Sequence, residues 1–333
     1  MVRVAINGFG RIGRSVLKAG LADKKIQFVA INDLSDSKTL AYLLKYDSVY
    51  GRFNGTIEAK DKALVINGKT VYVFAERDPE KLPWKTLKIN VVVESTGFFK
   101  EKVDAMKHVK AGAKRVIISA PSKSADFTLV LGVNEKSLKK EHQIISMASC
   151  TTNCLAPLVK VLDDNFKVES GFMNTVHAYT SSQALVDGPN KKLRRGRSAA
   201  LSIVPSSSGA TEATALVLPH LSGKLNGLSL RVPVPSGSIV DFTCVLGKKA
   251  SVEDINNAFK KASLGAMKGI LGYTEEEIVS HDVIGQSYSS LVDGSGTQVM
   301  GNLVKVLSWY DNEYGYSSRV VDLIKFLGKY ETA

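Results

Sequence analysis

The most constraining stretch of this chain is Asn7-Gly8-Phe9-Gly10-Arg11-Ile12-Gly13, which follows the apolar, β-branched run Val2–Ile6 and opens the helix-like Arg11–Ala22. A strand that turns straight into a helix over G-x-G-x-x-G has a narrow choice of shape. Gly8 permits the tight turn, Gly10 lets backbone approach a bound pyrophosphate, and Gly13 lets the helix close on the strand. Amides at the helix start then face the phosphates. Three glycines alone also fit an ordinary turn, so context decides. A second strand, Phe28–Asn32, ends at Asp33, about 20 residues beyond Gly13, where the dinucleotide fingerprint places its acidic residue. That carboxylate suits a ribose 2′-hydroxyl and repels a 2′-phosphate, which favours NAD over NADP. The plainer alternative is a residue that merely closes a strand.

Further short apolar runs follow at Val91–Ser95, Arg115–Ser119 and Ile144–Met147, with helix-like Ser37–Lys45 and Glu101–Lys110 between strands. Strands alternating with helices predict βαβ units and a mostly parallel sheet. Gly55–Phe74 reads as a hairpin-like insertion at the sheet edge, turning at Asn67-Gly68. After Cys150 the texture changes. A helix-like stretch runs to Phe166, and longer strands are expected at Gly171–His177, Leu228–Val234, Ile239–Leu246, Leu291–Val292 and Leu303–Trp309. The fold class is therefore α/β: a doubly wound parallel sheet plus a second α+β domain on a large mixed or antiparallel sheet. The expected domains are 1–149 and 150–314, the latter including a 178–202 loop. A C-terminal helix, 315–333, carries Val320, Leu323, Ile324 and Leu327 on one face and is expected to pack back on the first domain.

The 333 residues hold three cysteines, Cys150, Cys154 and Cys244, too few and too odd for a disulfide framework. Cys150 lies in Ser149-Cys150-Thr151-Thr152-Asn153, where hydroxyl and amide side chains mark a helix start. A thiol in that first turn meets the positive end of the helix dipole, which lowers its pKa. His177, closing a strand, is placed to exchange a proton with it. Each also has a plain structural reading: a small buried hydrophobe, and a core imidazole. The spacing of Cys150, Cys154 and His177 fits no zinc motif, so no metal is expected. The other histidines, His108, His142, His220 and His281, receive no role. No signal peptide or membrane-length apolar run is read, and Glu331-Thr332-Ala333 is no peroxisomal address. A cytoplasmic protein is the expectation. The net charge of +12 leaves nucleic acid, acidic membrane and small anions open as partners. Its densest cluster is Lys191, Lys192, Arg194, Arg195 and Arg197.

Taken together, Ala148-Ser149-Cys150-Thr151-Thr152-Asn153, Ile6–Arg14, Ser95-Thr96-Gly97, Ser119-Ala120-Pro121, Val176–Thr180, Leu193–Arg197, Leu230–Pro233 and Trp309–Glu313 resemble, in order, the motifs of phosphorylating glyceraldehyde-3-phosphate dehydrogenases. The resemblance spans essentially the whole chain. It implies a Rossmann-type first domain that binds NAD, and oxidation of glyceraldehyde 3-phosphate with inorganic phosphate through a thioester. It further implies Cys150 as nucleophile and His177 as proton exchanger. Gly8, Gly10, Arg11, Ile12, Gly13, Asp33, Arg77, Ser95, Thr96, Ser119 and Asn312 would serve NAD, with Asn312 on the nicotinamide carboxamide. Thr180 and Arg231 would hold the substrate's phosphate. Ser149, Thr151, Ser208 and Gly209 would hold the attacking phosphate, with Arg195 near both anions.

The chain departs from the family pattern at Met147, Asn174, Ser208, Tyr314 and the pair Ser181-Ser182. None removes a group the chemistry requires, and Ser181-Ser182 falls beside the expected substrate phosphate. A homotetramer is implied, while nucleic acid is not required and no membrane partner is expected. Two other readings stay open here: an erythrose-4-phosphate dehydrogenase, and a catalytically idle anion- or RNA-binding relative.

Overall fold

The computed structural model describes residues 1–330, with Tyr330 by its backbone only. The positions 331–333 named above lie outside the described residues. The chain forms two compact units, residues 1–129, 136–148 and 317–330, and residues 130–135 and 149–316.

The first unit opens with β1 (Val2–Asn7), α1 (Arg11–Gly20), β2 (Ile26–Asn32) and α2 (Ser37–Lys45). Strands β3 (Ile57–Lys60), β4 (Ala63–Ile66) and β5 (Lys69–Phe74) follow, then β6 (Val91–Glu94), α3 (Lys102–Lys110), β7 (Arg115–Ile118), β8 (Phe127–Thr128) and β9 (Ile144–Ser146). They make one sheet in the order β3-β4-β5-β2-β1-β6-β7-β9-β8. From β5 to β8 every neighbouring pair is parallel. Strand order therefore reverses at β1, between β2 and β6, where a doubly wound sheet opens its ligand crevice at the strand carboxyl ends. The hairpin β4–β5 lies toward the edge and turns at Asn67 (φ 48°) and Gly68 (φ 79°), the left-handed pair a two-residue turn requires. Val4, Ala5, Ile6, Val92 and Val93 are fully buried, as expected for strands covered on both faces.

The second unit holds α4 (Cys150–Phe166), β10 (Val168–Ala178), β11 (Val204–Ser207), α5 (Ala210–Val217), β12 (Leu225–Val232) and β13 (Ser238–Leu246). Then come α6 (Val252–Leu264), β14 (Leu271–Thr274), β15 (Ser290–Met300) and β16 (Leu303–Tyr310). Its sheet runs β11-β12-β10-β13-β16-β15-β14. The sheet is mixed: β10–β12 and β14–β15 are parallel, the other pairs antiparallel. Along β13 burial alternates, with Val240, Phe242, Cys244 and Leu246 inside and Ile239, Asp241 and Thr243 only half covered. The inner face packs with α4 and α6 into one core. Three strands escaped the sequence reading: β8, β11 and β14. They are two to four residues long, too short to show a period.

The last helix, α7 (Tyr314–Tyr330), buries Val320, Leu323, Ile324 and Leu327. Within the first unit its Gly328 sits against Val2, and its Val321 approaches Gly20 of α1.

Candidate active site

In the first unit the three glycines differ in what surrounds them. A Cβ on Gly8 (φ 89°) would come within 2.7 Å of the Thr96 backbone, and one on Gly13 within 2.3 Å of the Gly8 carbonyl. Both must be glycine for the turn and helix to close. A Cβ on Gly10 would meet nothing within 4 Å. That glycine keeps open space at the start of α1, where no side chain caps the helix and no acidic residue occupies the first turn. An uncapped helix start facing open space suits an anion. The adjoining cleft, about 560 Å³, is lined by Gly8, Gly10, Asp33, Arg77, Ser95 and Thr96 among others. These residues fit a dinucleotide.

Asp33 follows β2 directly, and its Oδ2 accepts from the Phe9 amide at 2.8 Å. Arg11 and Ile12 begin α1, but the Arg11 guanidinium turns to Asp47 at 3.3 Å and lies over the Tyr50 ring. What it can offer a phosphate at the helix start is therefore its backbone amide. Burial alone would raise Asp47, yet amides of Val49 and Tyr50 with the charges of Arg11 and Lys18 bring it down to about 2. The Ser95 hydroxyl donates to the Gly8 carbonyl at 2.7 Å, and the Thr96 hydroxyl to Glu94 Oε1. Both buttress the turn. Ser119, after β7, does not line this cleft; its amide bonds to the Glu94 carbonyl.

Beneath the cleft lies a buried polar network. Asn7 Nδ2 donates to Glu94 Oε2 at 2.5 Å, and Asn32 Nδ2 donates to Asn7 Oδ1 at 2.7 Å. The Thr96 amide donates to Glu94 Oε1 at 2.8 Å. His108 is fully buried, 3.2 Å from Glu94 Oε2 through Nε2, while its Nδ1 accepts from Trp84 Nε1 at 3.0 Å. An indole N–H only donates, so the imidazole proton sits on Nε2. His108, given no role from sequence, thus ties α3 to the turn that the glycines form. Only its place in an otherwise apolar helix face could have hinted at this.

In the second unit Ser149 caps α4, its Oγ accepting from the Thr152 amide at 3.0 Å. The preceding Ala148 adopts φ 52°, an uncommon turn for a residue with a Cβ, and Cys150 becomes the first helical residue. Its Sγ lies 3.4 Å from Nε2 of His177, near the end of β10. His177 is buried, and its Nδ1 is 2.6 Å from the Ala178 carbonyl. With its proton on Nδ1, donated to the Ala178 carbonyl, the imidazole turns the Nε2 lone pair to the thiol. That is the tautomer of a base. Arg231 Nη1 also donates to the Ala178 carbonyl at 3.1 Å, and stands 3.0 Å from Nδ1.

The lowered thiol pKa expected from the helix start is outweighed here. Burial pushes the Cys150 thiol up, and Arg231 and Thr151 pull it only part of the way back. Burial likewise brings His177 down to about 3, with the charges of Arg231 and Arg195 adding to it. Taken singly, both groups rest neutral. Moving the proton from Sγ to Nε2 creates both charges at once and adds no net charge, so the pair can ionise together. Tyr310 fixes the spacing: its hydroxyl bonds Thr151 Oγ1 at 2.9 Å and Thr175 Oγ1 at 2.8 Å. This pins the first turn of α4 to β10, two residues before His177.

Of the expected anion ligands, Thr180, Ser182 and Arg195 form a chain, Thr180 Oγ1 to Ser182 Oγ at 2.8 Å and Arg195 Nη1 to Ser182 Oγ at 3.1 Å. Arg195 Nε also donates to Ser206 Oγ at 2.8 Å. Ser182, a departure from the family pattern, is therefore the link between the two expected ligands. Arg231 Nε is buried without a hydrogen-bond partner. Ser208 and Gly209 stand at the start of α5. Ser149 and Thr151 flank Cys150 but already share their hydroxyls with Thr152 and Tyr310. Arg197 pairs with Asp187, and Lys192 reaches Ser207, while the charge of Arg195 acts on His177. Asn312 follows β16, its Oδ1 accepting from Ser238 Oγ at 2.9 Å. Cys154 is buried in the core. Among the described residues no group of three His, Cys, Asp or Glu is arranged to hold a metal ion.

A doubly wound unit with this glycine turn, on a chain that also carries a paired thiol and imidazole, has the parts of a nicotinamide-dependent dehydrogenase. Comparison with known proteins narrows the class. Residues 2–102 match the glyceraldehyde 3-phosphate dehydrogenase NAD binding domain, and residues 149–312 match that family's C-terminal domain. The chain is 54% identical over 328 residues to the glyceraldehyde-3-phosphate dehydrogenases of Priestia megaterium and Geobacillus stearothermophilus, covering 98% of each chain. It is 55% identical to that of Borreliella burgdorferi over 98% of this chain and 100% of the relative. The chain belongs to the glyceraldehyde 3-phosphate dehydrogenase family.

Proposed function

We propose that this protein oxidises glyceraldehyde 3-phosphate with NAD and inorganic phosphate to 1,3-bisphosphoglycerate. The observation that carries the reading is the 3.4 Å approach of Cys150 Sγ to His177 Nε2, whose lone pair faces the thiol when Nδ1 donates to the Ala178 carbonyl. His177 takes the thiol proton as sulfur adds to the aldehyde carbon, and returns it to the new oxyanion. The adduct is a thiohemiacetal on Cys150. NAD, when bound, supplies the hydride acceptor. His177 removes the hydroxyl proton as the carbonyl re-forms, and an acyl thioester remains on Cys150. A thioester is a far better acyl donor than an ester, which is why sulfur serves. Phosphate then attacks the acyl carbon, the C–S bond breaks, and an acyl phosphate leaves with the thiolate restored.

Gly8, Gly10 and Gly13 shape the pyrophosphate seat, with the amides of Arg11 and Ile12 as donors and Asp33 on the ribose. Arg77, Ser95, Thr96 and Ser119 shape the rest of the NAD site, and Asn312 meets the carboxamide. Arg231, through its unpartnered Nε, and Thr180 hold the substrate's phosphate. Ser149, Thr151, Ser208 and Gly209 hold the attacking phosphate, and Arg195 serves both. The protein acts in the cytoplasm as a homotetramer, a reading supported by the family and by Phe172 and Leu228, exposed on the sheet of the second unit. No described helix is long and apolar enough to cross a membrane.

The test is NADH absorbance with glyceraldehyde 3-phosphate and NAD, with and without phosphate, and again with erythrose 4-phosphate. A strict phosphate requirement and preference for the three-carbon substrate are expected. Indifference to phosphate with preference for the four-carbon sugar would reject the reading, as would full activity of Cys150→Ser.

A further inference from the structure

We infer that Ser238 is a positioning residue that fixes which end of the Asn312 amide is offered to the cofactor; the inference rests on the reading of Asn312 as the nicotinamide partner. The oxygen and nitrogen of an asparagine amide differ only in what they bond, so an orientation is set by the partner. Ser238 begins β13 opposite Tyr310 of β16 and is buried. Its Oγ accepts from the Ala178 amide at 3.1 Å and lies 2.9 Å from Asn312 Oδ1. With Asn312 as placed, the hydroxyl proton goes to Oδ1. With the amide turned over, Oγ would accept from both neighbours and its own proton would have no acceptor among the described residues. A buried hydroxyl resists that state.

The backbone on which Asn312 stands is separately held. Asp311 Oδ1 accepts from Ser236 Oγ at 3.2 Å and from the amides of Glu313 and Tyr314, and its Oδ2 from the Gly285 amide. Rotation of the amide is the remaining freedom, and the Ser238 hydroxyl removes it. Asn312 Nδ2 has no protein partner among the described residues, so the amide presents a donor. The hydrogen-bond chain that achieves this starts at Ala178, the residue after His177. The strand end that places the base therefore also sets the cofactor donor.

A carboxamide offers both an acceptor and a donor, whereas 3-acetylpyridine adenine dinucleotide keeps the carbonyl and lacks the amino group. In Ser238→Ala the Asn312 amide takes both orientations. NAD can answer either, but the acetylpyridine analogue can answer only one. The ratio of kcat/KM for NAD to that for the analogue is expected to rise about twofold over wild type, since an amide free to take either orientation offers the analogue its donor about half the time. The Kd for NAD should move less than about twofold, since the rest of the cofactor site is untouched. A merely structural serine would lower both cofactors alike, and an unchanged ratio overturns the inference. If the alanine variant does not fold, Ser238→Cys keeps the shape with a weaker donor and should shift the ratio in the same direction by less; no shift there has the same force. Neutron diffraction on the wild type reads the orientation without any turnover. A deuteron on Ser238 Oγ aimed away from Asn312 overturns the inference, whereas wild type making no NADH overturns the functional reading and leaves the neutron result standing.

Discussion

Replacing His108 by leucine should strand the indole N–H of Trp84. Trp84 is fully buried and donates to His108 Nδ1 at 3.0 Å, so the loss costs about 1–3 kcal/mol. The bond between His108 Nε2 and the Glu94 carboxylate, 3.2 Å, adds about 1.5–3 kcal/mol because one partner is ionised. Glu94 itself is not orphaned, since Asn7 and Thr96 still donate to it. Leucine and histidine have similar volumes, so little cavity cost is expected. The first unit should therefore lose roughly 2.5–6 kcal/mol, a large share of a domain's usual margin.

The Trp84–His108 pair carries a sharper expectation. In Trp84→Phe with His108→Leu both the donor and its acceptor are gone, so no stranded group remains on either side. The double variant should be more stable than the sum of the two single losses by about 1–3 kcal/mol. Hydrogen exchange at the amides of β6 and α3, read by mass spectrometry, isolates this unit from the other. NAD affinity should fall with His108→Leu, because Asn7 and Thr96 frame the Gly8 turn and share Glu94 with the imidazole. Losses that add within about 0.5 kcal/mol would show that the bond contributes nothing and refute the reasoning.

Three further outcomes are expected. Arg231→Leu removes the positive charge that draws the Cys150 thiol back down, so the pH of half-maximal alkylation by iodoacetamide should rise; an unchanged or lower midpoint contradicts the assignment. Asp33→Gly should weaken NAD binding and relax the preference over NADP, measured as the ratio of kcat/KM values; an intact preference counts against Asp33 as the ribose residue. Asp47, at about 2 when folded, lies below the ordinary carboxylate near 3.9; its stabilisation is complete above about pH 4 and lost as pH falls toward 2. Asp47→Asn should flatten that stretch of the acid unfolding curve, and a curve that keeps its shape would place the effect elsewhere.

What the chain revealed in advance was whatever has a local pattern. The glycine turn announces a strand, a turn and a helix within seven residues, and Gly8, Gly10 and Gly13 meet the three distinct surroundings the pattern calls for. Cys150 at a helix start is legible because Ser149 and Thr152 write the cap around it. The contact between Cys150 and His177 is not legible from spacing, since it joins a helix start to a strand end through Tyr310, far along the chain. Glu94, His108 and Asn7 were silent for the same reason: a buried network is defined by its partners. The sign of the Cys150 shift was also out of reach, because the dipole is local while burial belongs to the whole unit.

The placement of charge bears more on what this site can bind than its amount does. Most of the basic surplus is scattered or paired, as Arg197 is with Asp187. Arg195 and Arg231 differ: both are lowered by burial, and neither has a carboxylate within salt-bridge distance among the described residues. Guanidinium groups remain ionised even so, and a desolvated charge without a counterion is costly. The neighbouring thiol and imidazole rest neutral and offer no compensation. The second unit therefore carries two uncompensated positive charges around His177, one of them, Arg231, also acting on the Cys150 thiol. An aldehyde bearing a phosphate, followed by the proposed second phosphate as acyl acceptor, would neutralise them at each stage. A neutral aldehyde of the same size would leave both arginines unanswered, so it should be turned over with a much lower kcat/KM, and added inorganic phosphate or sulfate should raise its rate; a neutral aldehyde handled as well as the phosphorylated one would remove the electrostatic basis for the substrate assignment.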